Sequence, residues 1–179
     1  MIREFSTKAN PENNNARIAF SVLIALSAIV TAIYLFVERY KGLVGLAVMI
    51  LLVSAIYIYT RYVGVQYYYD ITFEHTGEPL FVVRRTVGKK SSTLARVALR
   101  DITYIKREKR EETKSHKTPY GYRKYFYTPT LIPTSVTRIA VINQYEKAEI
   151  VVEISDEYTS LLSAYANEAR EGLSLEDGE

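Results

Sequence analysis

Two histidines, His75 and His116, are the only imidazoles in this 179-residue chain, and it has no cysteine. Disulfides, thiolate metal sites and lipid anchors carried on cysteine are thereby excluded. Both histidines sit in stretches of turn composition. No H-x-x-x-H or D-x-D-x-D spacing occurs, so the sequence predicts no metal site and no bound cofactor. His75 and Glu78 stand close together in HTGE, but a turn between strands is the plainer role for those residues. Walker, G-x-S-x-G and G-x-G-x-x-G runs are missing as well. The chain therefore reads as non-enzymatic, with no catalytic residue; a triad assembled from distant positions would leave no local trace.

Charge carries more content than nucleophiles do. Residues 84–124 hold fourteen Lys and Arg against four acids, a net +10, while residues 145–179 hold ten acids against two bases, a net −8. The candidate binding residues come from the first of these stretches: Lys89, Lys90, Lys109, Arg110, Lys114 and Lys117. Clustered cations of this kind are attracted to anionic headgroups by about 1 kcal/mol each. The plainer reading is a set of solvated strand faces and a flexible loop. Nucleic acid is not expected as a partner, despite nearby Tyr104, Tyr120, Tyr122 and Tyr125, because a domain tethered to a membrane rarely needs one.

The elements that must position these residues begin with a polar N-terminal tail, residues 1–17, whose NPENNNA tract has too little apolar surface to fold alone. Asn14 or Asn15 can cap a helix beginning there. Ile18–Val37 is uncharged over a length that crosses a ~30 Å hydrocarbon core. It is too long for a signal-peptide core, and no A-x-A site comes after it. After the link Glu38–Gly42 comes a second uncharged run, Leu43–Thr60. So short a link makes the two spans antiparallel neighbours, a transmembrane hairpin over residues 18–62. Tyr34 and Tyr40 lie at its link end and Tyr57, Tyr59 and Tyr62 at the other, an aromatic belt at each interface. Ser21, Ala25, Ala28 and Ala32 form a stripe of small residues suited to close helix packing. Neither span contains an ionisable residue, which argues against a channel or pump. The basic excess on the terminal side places both termini in the cytoplasm by the positive-inside rule.

Beyond Gly64 the pattern turns to period-two alternation. Seven strands are expected, at Tyr67–Glu74, Leu80–Val87, Ser91–Val97, Ile102–Lys109, Arg123–Thr128, Val136–Asn143 and Lys147–Ile154, with one long loop over 110–122. The last element is a helix from about Asp156 to Arg170, capped by Ser155 or Asp156. Its apolar stripe is Tyr158, Leu161, Leu162, Tyr165 and Ala169. Residues 171–179 read as an acidic disordered tail.

Seven antiparallel strands and one amphipathic C-terminal helix give the element order of a pleckstrin-homology (PH) domain. The segment TLARVALRDITYIKRE resembles the third and fourth strands of bacterial PH-like domains. AEIVVEIS with DEYTSLLSAYANEA after it is similar to their last strand and helix. The resemblance covers residues 65–170. It implies a PH-like barrel capped by the C-terminal helix, in a bacterial membrane protein with an N-terminal two-helix anchor. The phosphoinositide-binding members use a basic loop between their first two strands. The corresponding HTGEP is acidic here, so a specific inositide pocket is not implied.

If neighbouring strands alternate in direction, the Gly88–Lys90 turn, the 110–122 loop and the Gln144–Glu146 turn return toward the bilayer. HTGEP and PTLIPTS then point away, making His75, Glu78, Leu131 and Ile132 the partner-facing end. The functional expectation is a membrane-anchored cytoplasmic interaction or scaffold module, its basic turns resting on anionic lipid, with a membrane or cytoplasmic protein as partner. The alternative from another class is an accessory subunit of a membrane enzyme or transporter.

Overall fold

Arg17 is the only charge between Ala16 and Phe36, and a stretch so apolar can satisfy its backbone away from water only as a helix. It forms α1 (Asn15–Phe36), and α2 (Lys41–Ile58) comes next, ending in one π-helical turn over Tyr59–Val63. The computed structural model describes residues 5–9, 14–36, 39–74, 77–115 and 117–176. The carbonyl of Asn14 accepts the first helical hydrogen bond, from the Ile18 N–H at 3.0 Å, which puts Asn14 at the capping position.

Both helices are long and apolar enough to cross a membrane, with mean hydropathies of 2.5 and 2.4 and only 6% of each apolar window buried. They pack on each other, and Phe20, Leu23, Ser27, Val30 and Tyr34 of α1 and Val44, Val48, Leu51, Ala55 and Ile58 of α2 are among their less exposed positions. Both series step alternately by three and four, the spacing of a helix–helix seam. The small-residue stripe read from the sequence is not that seam: Ser21, Ala25, Ala28 and Ala32 are all exposed. A different register, with small Ser27 and Ala55 as its most buried members, makes the contact instead.

The strands form two open four-stranded sheets rather than one closed seven-stranded barrel. Sheet A holds β1 (Phe5–Lys8), β2 (Val65–Phe73), β3 (Pro79–Val87) and β4 (Lys90–Ala98) in that order. Sheet B holds β5 (Ile102–Lys109), β6 (Arg123–Tyr127), β7 (Ser135–Ile142) and β8 (Lys147–Val152) in the order β5-β7-β8-β6. A 3-10 turn at Leu99–Asp101 leads from β4 into β5.

Two departures from the sequence reading matter. The first is β1, which lies in the stretch read as a solvated tail. Phe5 pairs with Ile71 and Lys8 with Tyr68, antiparallel, and the Ala9 N–H continues the ladder to the Tyr67 carbonyl at 2.9 Å. The helical hairpin is thus an insertion between two adjacent strands of one sheet. The chain accordingly divides into two compact units. One joins the described part of the first ten residues to Gln66–Pro129 and Pro133 onward; the other holds the helices together with Thr130–Ile132.

The second departure is β6, which runs parallel to β8. β5, β8 and β6 therefore share one direction and β7 opposes them. A chain leaving the end of β5 must cross the whole sheet to begin β6, and residues 110–122 make that crossover. It starts with the short helix α3 (Arg110–Ser115).

The core lies between the inner sheet faces and α4 (Asp156–Glu176). Tyr67, Tyr69, Ile71, Phe81 and Val83 of sheet A and Ile139, Ile150 and Val152 of sheet B are buried. So are Leu99, Tyr158, Leu162 and Ala166. Buried tyrosine hydroxyls need partners, and here they join elements: Tyr69 donates to the Tyr127 carbonyl at 2.6 Å, and Tyr158 donates to the Tyr69 carbonyl at 3.0 Å. Phe5 and Phe73 both pack on Tyr165 of α4. Ser155 caps α4, its Oγ accepting the Tyr158 N–H at 3.2 Å. The helix continues past Arg170 to Glu176, six residues into the stretch read as disordered. One glycine, Gly172, costs a helix only about 1 kcal/mol.

Candidate functional site

Sheet B carries charge where a sheet ordinarily carries apolar side chains. Arg138 on β7 is 0% exposed and lies between two equally buried carboxylates, Glu108 on β5 and Glu149 on β8. Strand register puts them on one face: Arg138 is opposite Lys106, one alternation from Glu108, and Ala140 is opposite Glu149. The Arg138 Nε donates to Glu108 at 2.6 Å and its Nη1 to Glu149 at 3.4 Å. Lys106 reaches Glu108 at 3.1 Å, and Lys124 lies 3.9 Å from Glu149. Glu149 also accepts from Tyr104 at 3.2 Å and from Thr118 at 2.8 Å.

Thr118 belongs to the crossover, so the segment forced by parallel pairing is also the cover over these charges. Burial, then the Glu149 charge, push the Tyr104 hydroxyl up to about 12. Burial and then Arg138 lower the Lys124 ammonium, against the pull of Glu149. The arrangement is a buried ionic network, nearly satisfied. Of its buried side-chain atoms, among the described residues, the Arg138 Nη2 alone is left without a hydrogen-bond partner. Its chemistry is structural, fixing strand register and the path of the crossover.

The open surface lies where the crossover meets β6. Gly121, with φ +84, turns the chain into Arg123. Beside it the β7–β8 turn is tied by Asn143, whose side-chain oxygen accepts the N–H groups of Tyr145 at 2.9 Å and Glu146 at 2.8 Å. Together they line a cleft of about 620 Å3 with Arg123, Tyr145, Glu146 and Lys147 on its walls. Tyr120 and Tyr145 are among the most exposed large side chains among the described residues. Both stand on turns tied through the backbone, so this end of sheet B presents two exposed aromatic side chains, Tyr145 on the cleft wall and Tyr120 next to Gly121, beside two cations.

No protein-family model, curated protein or solved structure matches the chain.

The residues singled out in the sequence are spread over several places. Lys89 and Lys90 are exposed at the two-residue β3–β4 hairpin, where Gly88 takes φ +58. Lys109 and Arg110 are exposed at the end of β5, with the Arg110 N–H donating to the Thr134 carbonyl at 2.9 Å. Lys114 falls on α3, and Lys117 is exposed within the crossover. The crossover starts at one end of β7 and finishes beside the Asn143–Glu146 turn at the other. The 110–122 segment and that turn therefore do not share one end of the domain, as strict up-and-down alternation required. Glu78 pairs with Arg100 at 2.9 Å. Leu131 and Ile132 belong to the compact unit of the helices. His75 and His116 lie outside the described residues. Groups of three or more metal-binding side chains do not occur among the described residues.

The sequence reading missed the buried network and the tyrosine cleft. Alternation in VTRIAVI, with Arg138 between Val136 and Ala140 on one strand face, was the available signal for the first. The second depends on β6 lying beside β8, which nothing local encodes.

Proposed function

We propose that the chain is a membrane-anchored interaction module: a β domain held at the cytoplasmic face of a membrane, with its tyrosine cleft available to a partner protein. The observation that carries the reading is the insertion of two apolar helices between β1 and β2. Strands that pair must lie on the same side of whatever the helices cross, so the N-terminal segment and the β domain share a compartment. The sequence has Arg3, Lys8, Arg17 and Arg61 flanking the helices on that side against Arg39 and Lys41 in the link, an excess that favours the cytoplasm for it. In this reading the seven strands after the helices and α4 correspond to a PH-like domain. β1 is an addition to it, and the parallel β6 is a departure from its antiparallel order.

Exposed tyrosines supply large contact area at low entropic cost, which favours the cleft as the contact surface. The Gly88–Lys90 turn lies at the end of sheet A where the chain enters from α2, which supports its resting on anionic headgroups.

The anchor is tested with single cysteines, placed by Arg39→Cys and Glu179→Cys in a chain that has none. A membrane-impermeant thiol reagent labels the first in intact cells and spares the second; the reverse pattern removes the cytoplasmic assignment. The module is tested by a photo-crosslinking residue at Tyr145, with Ser91 as control. A discrete protein adduct specific to position 145 is expected. Identical adducts at both positions would remove the cleft from the reading.

A further inference from the structure

The outer face of sheet A holds a cavity of about 210 Å3 whose lining is polar on every strand. β1 contributes Ser6, β2 Asp70 and Thr72, β3 Arg84 beside the apolar Val82, and β4 Thr93 and Arg96. Thr93 and Arg96 are three residues apart and in a regular strand would point to opposite faces. A β-bulge at Leu94 brings them together: Arg96 is opposite Val82 and Ala95 opposite Val83, but Arg84 is opposite Thr93. Bulges of this kind re-aim side chains. Asp70 is almost fully buried, and its Oδ2 accepts from the Arg84 Nε, which fixes that guanidinium at the cavity wall. Ser6, Thr72, Thr93 and Arg96 make no side-chain hydrogen bond or ion pair among the described residues. One cavity thus gathers three unengaged hydroxyls, one unengaged guanidinium and a second held in place by a buried acid, with a net charge of +1.

We propose that this cavity binds a small oxyanion of the phosphate-monoester type. Guanidinium groups match phosphate oxygens in a planar fork, and hydroxyl donors complete the shell of a tetrahedral anion. Asp70 is a positioning residue, acting through Arg84. The site is separate from the tyrosine cleft and does not depend on which compartment the β domain occupies.

The test uses the full-length protein and follows thermal unfolding of the β domain by circular dichroism. One arm titrates inorganic phosphate against chloride at constant ionic strength, with the protein in neutral detergent. The other compares nanodiscs of phosphatidylcholine with nanodiscs containing phosphatidic acid, whose headgroup is a phosphate monoester. Binding to the folded state raises the midpoint. A rise with inorganic phosphate assigns a soluble ligand, and a rise confined to phosphatidic acid assigns a lipid headgroup. In either case the rise is lost in Arg96→Gln and reduced in Thr93→Val, which alters one exposed, isosteric position and leaves the fold intact. No rise with either ligand, or equal rises in wild type and both variants, overturns the proposal.

Discussion

The helical hairpin and the β domain distribute polarity in opposite ways. In the hairpin the large apolar side chains face outward, from Ile18 and Val22 to Met49 and Val53, while the buried positions are Ala16, Ser27 and Ala55. In the β domain a whole arginine and two glutamates are sealed inside, and the lysines of the turns are outside. Burial therefore has no fixed meaning along this chain. The hairpin has the surface that hydrocarbon would require of it, and the β domain has the surface of a body in water, with an internal polar network that only mutual pairing makes tolerable.

The largest expected effect breaks the interior of the second region. Arg138→Met leaves Glu108 and Glu149 buried without their central cation and should cost about 3–5 kcal/mol. Urea unfolding of the full-length protein in detergent measures it. Replacing all three together, Arg138→Met with Glu108→Leu and Glu149→Leu, should recover most of the loss, because the penalty belongs to the orphaned charges. A triple variant as unstable as the single one would mean that the network stabilises the domain outright.

One residue type placed in both regions sharpens the contrast. Val53 and Val87 are both well exposed, at 62% and 46%. Val53→Lys sits near the middle of the second apolar helix, and a central lysine there should cost about 2.5–3.5 kcal/mol of membrane insertion. It is read as loss of carbonate-resistant protein. Val87→Lys should shift stability by less than about 0.5 kcal/mol. Equal effects would mean that both valines face the same solvent.

Alkaline titration is the next effect in size. The folded state holds Tyr104 at about 12, against 10.0 for a free tyrosine, so only the unfolded chain ionises it in between. Burial raises Tyr158 further in the same direction. Stability from both groups is complete below pH 10; that from Tyr104 is lost as pH rises from 10 through about 12, and that from Tyr158 continues to fall at still higher pH. Absorbance at 295 nm should show these hydroxyls ionising only as the domain unfolds, and Tyr104→Phe should reduce the loss over that interval. The smallest effect belongs to the turn lysines. Lys89→Gln with Lys90→Gln should leave stability within about 0.5 kcal/mol, yet weaken salt-sensitive attraction of the β domain to anionic vesicles.

Much of the fold was legible because it is written in local periodicity. The strand expected at Ile102–Lys109 has those same ends in the structure, and the others differ by one or two residues at either end. The two long helices were equally plain. What stayed hidden depends on partners far along the chain. Phe5–Lys8 looks like tail because its strand partner, β2, comes about sixty residues later and the Tyr165 ring that packs on Phe5 later still. The direction of β6 is set by β8, although the thirteen residues of 110–122 were a usable clue, since a parallel connection needs about a dozen. The bulge at Leu94 left no mark in SSTLARVA at all, and so the Asp70 cavity could not be anticipated.

The position of β1 has a consequence for biogenesis. Synthesis delivers Phe5–Lys8 first, then both helices, and only afterwards the strand that β1 must join. If the helices cross a bilayer as proposed, a chain that inserted one and not the other would leave β1 and β2 on opposite faces, and sheet A would lack its edge. Pairing of Phe5 with Ile71 therefore excludes a state in which only one of the two helices has crossed. On the proposed anchor, a four-residue strand would thus report whether the two helices had inserted as a pair.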